Sequence, residues 1–199
     1  SGISKELLEG TVTKEEQEAF DKAVKKEWTE RMEQTTESFK DWTLTSARGL
    51  KDGHYKPGKK LGEGGMGGIR LLKSDSPDDP KLVFKYSLKD DVSEMDHEEK
   101  VYRKLGPHPN IARCLGRTKI DGKEGLVMEA ITGGDMNDSI KDMRRLLEDG
   151  VVSQVEYWSA MQKALRDAFR ALAHLESKGL VHRDFKALNI MLDEETLDY

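Results

Sequence analysis

A single cysteine, Cys114, stands among 199 residues, so no internal disulfide can staple the chain. That scarcity fits a reducing compartment. No apolar run approaches the roughly 20 residues that a membrane-crossing helix needs. The charged opening SGISKELLEG lacks the apolar core of a secretory signal. Positive charge is not in excess either. Lys and Arg number 33 against 38 Asp and Glu, a formal net charge of -5. No global field therefore draws the protein to nucleic acid or to an anionic membrane. There is no internal repeat and no low-complexity tract. What is present is a hydrophobic set of 36% and an equal 36% of charged residues, as in a globular protein with a heavily charged surface. Such a length suffices for one good core or two small lobes, and a cytoplasmic location is expected.

Residues 11–49 read as helix. Thr13 with Glu16 fits a capping box, and Phe20, Val24, Trp28 and Met32 recur every fourth residue on one face. Phe39, Trp42 and Leu44 keep the stretch apolar enough to dock on a neighbour. From about residue 58 the texture changes to short strands. KKLGEGGMGGIRLLK predicts a strand, a glycine turn and a second strand, and KLVFKYS a third. Glu98, Val101, Tyr102 and Leu105 have helical spacing, ended by Gly106 and Pro107. GRTKIDGKEGLVMEAI predicts a hairpin around Asp121-Gly122. Beyond residue 132, Met136, Ile140, Met143 and Leu147 mark a short helix closed by Gly150. Ser153 with Glu156 opens a long one, stopped by Gly179. Trp158, Met161, Leu165, Ala168, Leu172 and Leu175 form one seam along it, which Tyr157, Ala164 and Phe169 widen. A strand-rich half followed by a helix-rich half predicts an α+β fold of two lobes with a cleft between them.

Three stretches carry chemistry. LGEGGMGGI sets Gly62, Gly64 and Gly67 in a G-x-G-x-x-G pattern, where backbone without side chains can approach phosphate oxygens. The same letters open dinucleotide-binding folds, but those place a helix after the glycines, whereas GIRLLK reads as a strand. Lys85 lies on the apolar strand LVFKYS, where an ammonium is costly unless it meets an anion. Glu98 shares a helix face with Val101, Tyr102 and Leu105 and is the expected partner. Glu99, about 100° round the helix, is expected on the solvent side. HRDFKALN then follows the long helix and precedes the apolar run IML, a helix, loop and strand in order. Asp184 can orient an attacking hydroxyl and accept its proton. Lys186 can neutralise a moving phosphoryl group, and the Asn189 amide oxygen can ligate Mg²⁺.

From about Tyr55 onward the chain resembles the protein-kinase family. The resemblance rests on an ordered set: the glycine loop, LVFK at Lys85, Glu98, HPNI at 108–111, LVMEAITGGDM and HRDFKALN. It implies a complete upper lobe over 55–131, a partial helical lower lobe over 132–199 and a helical extension over 1–54. It further implies ATP and Mg²⁺ as cofactors, with Leu61, Gly62, Glu63, Gly64, Gly65, Met66, Gly67, Gly68, Ile69 and Val83 around the nucleotide. By the same resemblance Lys85 and Glu98 form an ion pair and Met128 is the gatekeeper. The backbone of Glu129 and Ile131 meets the adenine edge, Asp135 the ribose, and Met191 closes the floor. Asp184 and Lys186 are then catalytic and Asn189 holds the metal. Lys186 favours serine or threonine as the acceptor on a protein substrate.

Departures from the pattern are Ala187 where proline is usual, Val83 and Phe84 ahead of the lysine, and the absence of Asp-Phe-Gly after Asn189. The expectation is a fragment, or minimal form, of a longer kinase. Asp193, Glu194 and Glu195 read as a solvated acidic turn rather than substitute metal ligands. The composition and helical prefix suit a bacterial effector working in host cytoplasm, and a eukaryotic kinase equally. A nucleotide-binding or protein-interaction module without transfer is the alternative. The seam over 154–178 is expected to need an external cover, either a partner chain or a second copy, because the N-terminal helix is expected near the upper lobe.

Overall fold

The computed structural model describes residues 14–42, 55–64, 67–88 and 93–193. The N-terminal helix α1 runs Lys14–Trp42. Thr13 and the side chains of Glu16, Phe20, Val24, Phe39, Trp42 and Leu44 lie outside the described residues, as do Gly65, Met66, Glu194 and Glu195. Five antiparallel strands follow: β1 Tyr55–Glu63, β2 Gly67–Ser74, β3 Leu82–Ser87, β4 Cys114–Ile120 and β5 Lys123–Glu129, in the order β1-β2-β3-β5-β4. Strand residues alternate faces. Leu82, Phe84 and Tyr86 of β3 therefore bury on one side, in a cluster with Tyr55, Leu72 and Val127. Val83 and Lys85 face the other side. There Met95, Leu126 and Met128 form a second cluster with Val83, Tyr102, Ala112 and Cys114. Asp121 at φ 52° and Gly122 at φ 77° make the tight turn between β4 and β5.

Helix α2, Ser93–Leu105, lies against this second face, with acidic Glu94 and Asp96 in its first turn and basic Arg103 and Lys104 in its last. Both signs suit the helix dipole. Asp135 caps α3, Met136–Glu148, by accepting from the Asp138 N–H at 3.0 Å. Helix α4, Gln154–Ser177, opens on the expected Ser153–Glu156 capping box. It closes on Gly179 at φ 64°, with Gly179 N–H donating to Glu176 and Leu180 N–H to Leu175. That pair of bonds is a Schellman motif, which satisfies carbonyls left over at a helix end.

Two expectations are corrected here. The α4 seam does not stay together: Ala164, Ala168 and Leu175 are buried with Asp167, while Trp158, Leu165 and Phe169 are 57%, 50% and 60% exposed. The buried side of α4 runs through Ala164, Asp167, Ala168 and Leu175, and Trp158, Leu165 and Phe169 fall outside that contact. Nor is α1 confined to the upper lobe. The Trp28 ring lies 5.4 Å from His108, after α2, and the Arg170 guanidinium of α4 stacks on it at 4.2 Å. Asp167, buried, holds Arg170 at 3.6 Å. A cation–aromatic stack of this kind leaves no periodic trace in a sequence.

Candidate active site

The two limbs of the glycine turn pair Gly62 with Ile69 and Glu63 with Gly68, and the Gly64 N–H closes onto the Gly67 carbonyl at 2.8 Å. A Cβ at Gly62 or Gly64 would meet nothing within 4 Å. The open side of the loop is thus the side on which a phosphate can approach backbone. The tip is braced from below: the Tyr86 hydroxyl donates to the Glu63 carboxylate at 2.8 Å, and Lys60 pairs with Glu63 at 2.5 Å. Lys60 and Tyr86 together hold the Glu63 carboxyl below its ordinary value. Leu61 and Ile69, beside the glycines, stay exposed although apolar.

Lys85 meets Glu98 at 2.5 Å, as expected from the helix face. Glu99 departs from expectation. It pairs with Arg103 at 2.6 Å and is less exposed than Glu98, 16% against 26%, so it is not the solvent-side residue of the two. Its partner is the i, i+4 arginine, a pairing that helix angle alone does not foresee. Met128 is buried with Met95 and Leu126, and Val83 packs on the same cluster. The Glu129 N–H donates to the Arg113 carbonyl at 3.0 Å, and its carboxylate accepts from the Arg113 N–H at 2.7 Å. Burial raises the Glu129 carboxyl against that bond.

Below, Arg183 adopts φ 63° and the Asp184 N–H donates to the His182 carbonyl at 2.9 Å. A left-handed arginine is costly and aims its neighbour outward. Lys186 Nζ and Asn189 Nδ2 each reach Asp184 Oδ2 at 2.9 Å, and the same amide nitrogen donates to the Asp184 carbonyl at 2.8 Å. Lys186 and then Asn189 depress the Asp184 carboxyl, keeping it an ionised acceptor. With its NH₂ spent on Asp184, Asn189 has its amide oxygen left for a cation. The IML run forms no strand among the described residues. A 3₁₀ turn over Ala187–Asn189 is followed by a single bridge from Met191 to Asp135. That bridge sets Met191 beside the cap of α3, with Met136 N–H donating to the Ile190 carbonyl at 2.7 Å.

A cleft of about 1000 Å³ opens between α1, α2, the turn after it, α4 and the segment 179–193. Of the expected residues it touches Glu98, Glu129, Ile131, Asn189 and Met191, while the glycine hairpin and Lys85 stand outside it. Asp193 is half-buried on its wall, not solvated as expected. Among the described residues no group of three His, Cys, Asp or Glu could hold a metal ion. Asn189 and Asp184 offer two oxygen-bearing side chains where Mg²⁺ takes six ligands, so these residues fit a metal only in part. Sequence reasoning missed Tyr86, Arg117, His108 and Trp28 as partners, since each contact depends on register or packing direction.

The protein kinase domain family matches residues 55–197. CBL-interacting serine/threonine-protein kinase 1 of Arabidopsis thaliana is 28% identical over 152 residues, 73% of this chain and 32% of that protein. The hormonally up-regulated neu tumor-associated kinase homolog of Xenopus tropicalis is 31% identical over 147 residues, 71% of this chain and 20% of that one. Its Homo sapiens counterpart is 30% identical over 149 residues, 72% and 20%. The chain spans a third or less of the length of these relatives. The ordered glycine hairpin, the Lys85–Glu98 pair, the Asp184–Lys186–Asn189 turn and the match over 55–197 lead to one conclusion: the chain belongs to the protein kinase domain family.

Proposed function

We propose that this chain is the nucleotide-binding and catalytic-loop portion of a serine/threonine protein kinase. Its parts are a helical extension over 1–54, an upper lobe over 55–131 and a partial lower lobe over 132–199. The observation that carries the reading is the 2.5 Å Lys85–Glu98 pair on the same chain as an Asp184 carboxylate oriented by Lys186 and Asn189. Lys85, held by Glu98, receives nucleotide phosphates beneath Gly62–Ile69. The adenine lies against Leu61, Val83 and Met191 with its edge on the Glu129 and Ile131 backbone, and Asp135 takes the ribose. Asp184 orients the acceptor hydroxyl of a protein serine or threonine and takes its proton as the new O–P bond forms and the bond to the nucleoside diphosphate breaks. Lys186 offsets the charge of the group in flight. Asn189 contributes one ligand to Mg²⁺, whose chemistry is to neutralise phosphate charge. The location is cytoplasmic, or host cytoplasm for an effector. A second copy or partner chain covers the exposed side of α4.

A reading without transfer, in which the chain only binds nucleotide, is favoured by one observation: among the described residues no group of three His, Cys, Asp or Glu gathers where it could hold a metal ion. Phosphate transfer from ATP to a protein substrate, measured on the full-length protein and on residues 1–199, separates the two. In the full-length protein Asp184→Asn is expected to lower kcat by about 10³ or more with KM for ATP nearly unchanged. Lys85→Ala is expected to weaken nucleotide binding and turnover together. Wild-type turnover in Asp184→Asn overturns the assignment of the base, and nucleotide binding with no turnover in any form selects the second reading.

A further inference from the structure

Lys85 on β3 and Arg117 on β4 are both register partners of the same residue, Leu126, on the intervening strand β5. Residues opposite one another on neighbouring strands share a face. The two cations therefore stand in one row on the α2 side of the sheet, about 10 Å apart at two strand spacings. Leu126, fully buried, lies between them. Helix α2 answers each cation with a carboxylate. Glu98 takes Lys85 at 2.5 Å, and Asp96 takes one arm of the Arg117 guanidinium. The other arm is held by Glu124 of β5, so Arg117 is gripped from the sheet as well as from the helix.

The positions on α2 are informative. Met95 is buried in the cluster with Leu126 and Met128, and Tyr102 packs on that cluster. At about 100° per residue, Asp96 lies about 100° to one side of Met95 and Glu98 about 60° to the other. The two carboxylates flank the apolar line by which the helix sits on the sheet. Rolling α2 in either direction stretches one ion pair as it slackens the other. A helix held by Glu98 alone could roll about that single contact. Apolar hold is thin, since Met95 and Leu105 are its buried residues.

We propose that Arg117 is a positioning residue: clamped between Glu124 and Asp96, it sets the rotation of α2 and so keeps Glu98 on Lys85. The link to catalysis rests on the kinase reading above; the clamp itself does not. Asp96 is 48% exposed and Arg117 22%, so the contact is partly screened and weakens in high salt.

The test uses the full-length protein. Arg117→Met keeps the aliphatic stem and removes the guanidinium; Asp96→Asn, on a half-exposed side chain, opens the same clamp without touching the sheet. Arg117→Lys restores the charge. Three quantities are read: the acylation rate of Lys85 by an amine-reactive ester, amide exchange of α2, and kcat with KM. Arg117→Met and Asp96→Asn are each expected to speed Lys85 acylation and α2 exchange roughly two- to fivefold and to lower kcat by a like factor. The double variant should be no worse than Arg117→Met alone, because both act through one contact. Arg117→Lys should recover part of the loss. Unchanged Lys85 acylation in both single variants overturns the clamp, as does additive loss in the double variant. If wild-type protein transfers no phosphate, the functional reading falls, and Lys85 acylation with α2 exchange still decides the clamp: a rise supports it and no rise overturns it.

Discussion

A Cβ on Gly67 would stand 2.2 Å from the Tyr86 carbonyl oxygen, whereas one on Gly62 would meet nothing within 4 Å. Five positions apart in one loop, the two glycines answer to different demands. Gly67 is required by the close approach of β2 to β3; Gly62 leaves room on the side where phosphate is expected. Gly67→Ala must therefore push the strands apart, at about 1–3 kcal/mol, read as a lower Tm. Gly62→Ala should leave Tm nearly where it was and show its effect in the dissociation constant for ATP. Equal destabilisation by both would mean that Gly62 is structural as well. Cys114 is a residue whose burial matters more than its chemistry: burial pushes its thiol up to about 11, so it is not a reactive thiolate at neutral pH.

At the scale of elements, α1 joins the domain through Trp28, which meets His108 and Arg170, and His108 in turn lies 4.6 Å from His174. His108 is buried and its Nδ1 accepts the Asn110 N–H at 3.1 Å. Burial, then the nearby His174, Arg31 and Arg170, push its pKa down to about 4. An unfolded histidine titrates near 6.5. Between those values the unfolded chain binds a proton that the folded one refuses. The contribution is intact above about pH 6.5 and is lost as pH falls toward 4, by at most about 3 kcal/mol. Thermal melts between pH 7.5 and 4.5 should show this loss in wild-type protein and a shallower slope in His108→Gln. Trp28→Ala should cost roughly 1–2 kcal/mol at pH 7.5 by removing the stack and opening the histidine to water. Unchanged melting in Trp28→Ala would mean that α1 contributes nothing to the stability of the domain.

For the whole molecule, the lower lobe presents Trp158, Leu165 and Phe169 to solvent on one helix, together with Val155 at 75% exposure. Apolar patches of this kind associate. No helix among the described residues is long and apolar enough to cross a membrane. The expected outcome for residues 1–199 is concentration-dependent self-association and binding of a hydrophobic dye, both reduced by Leu165→Lys with Phe169→Lys. Light scattering that finds a monodisperse monomer with no dye uptake would set this aside.

Much of this protein could be read from local pattern. The strand–glycine–strand turn, the Asp121-Gly122 hairpin, the Ser153 capping box and the Gly179 stop each depend on a few adjacent residues. So do the outward Asp184 with Lys186 and Asn189, and the helical spacing that turns Glu98 inward. Other features depended on assembly. Glu99 pairs with its own Arg103, the α4 seam divides between a buried side at Ala164, Ala168 and Leu175 and an exposed one at Trp158, Leu165 and Phe169, and Trp28 bridges to Arg170 across some 140 positions. Arg117 and Lys85 share a row only because β5 lies between β3 and β4 in the sheet. Periodicity states which face a residue occupies; the partner waiting on that face is set by strand order and register, which bring together residues far apart in the chain.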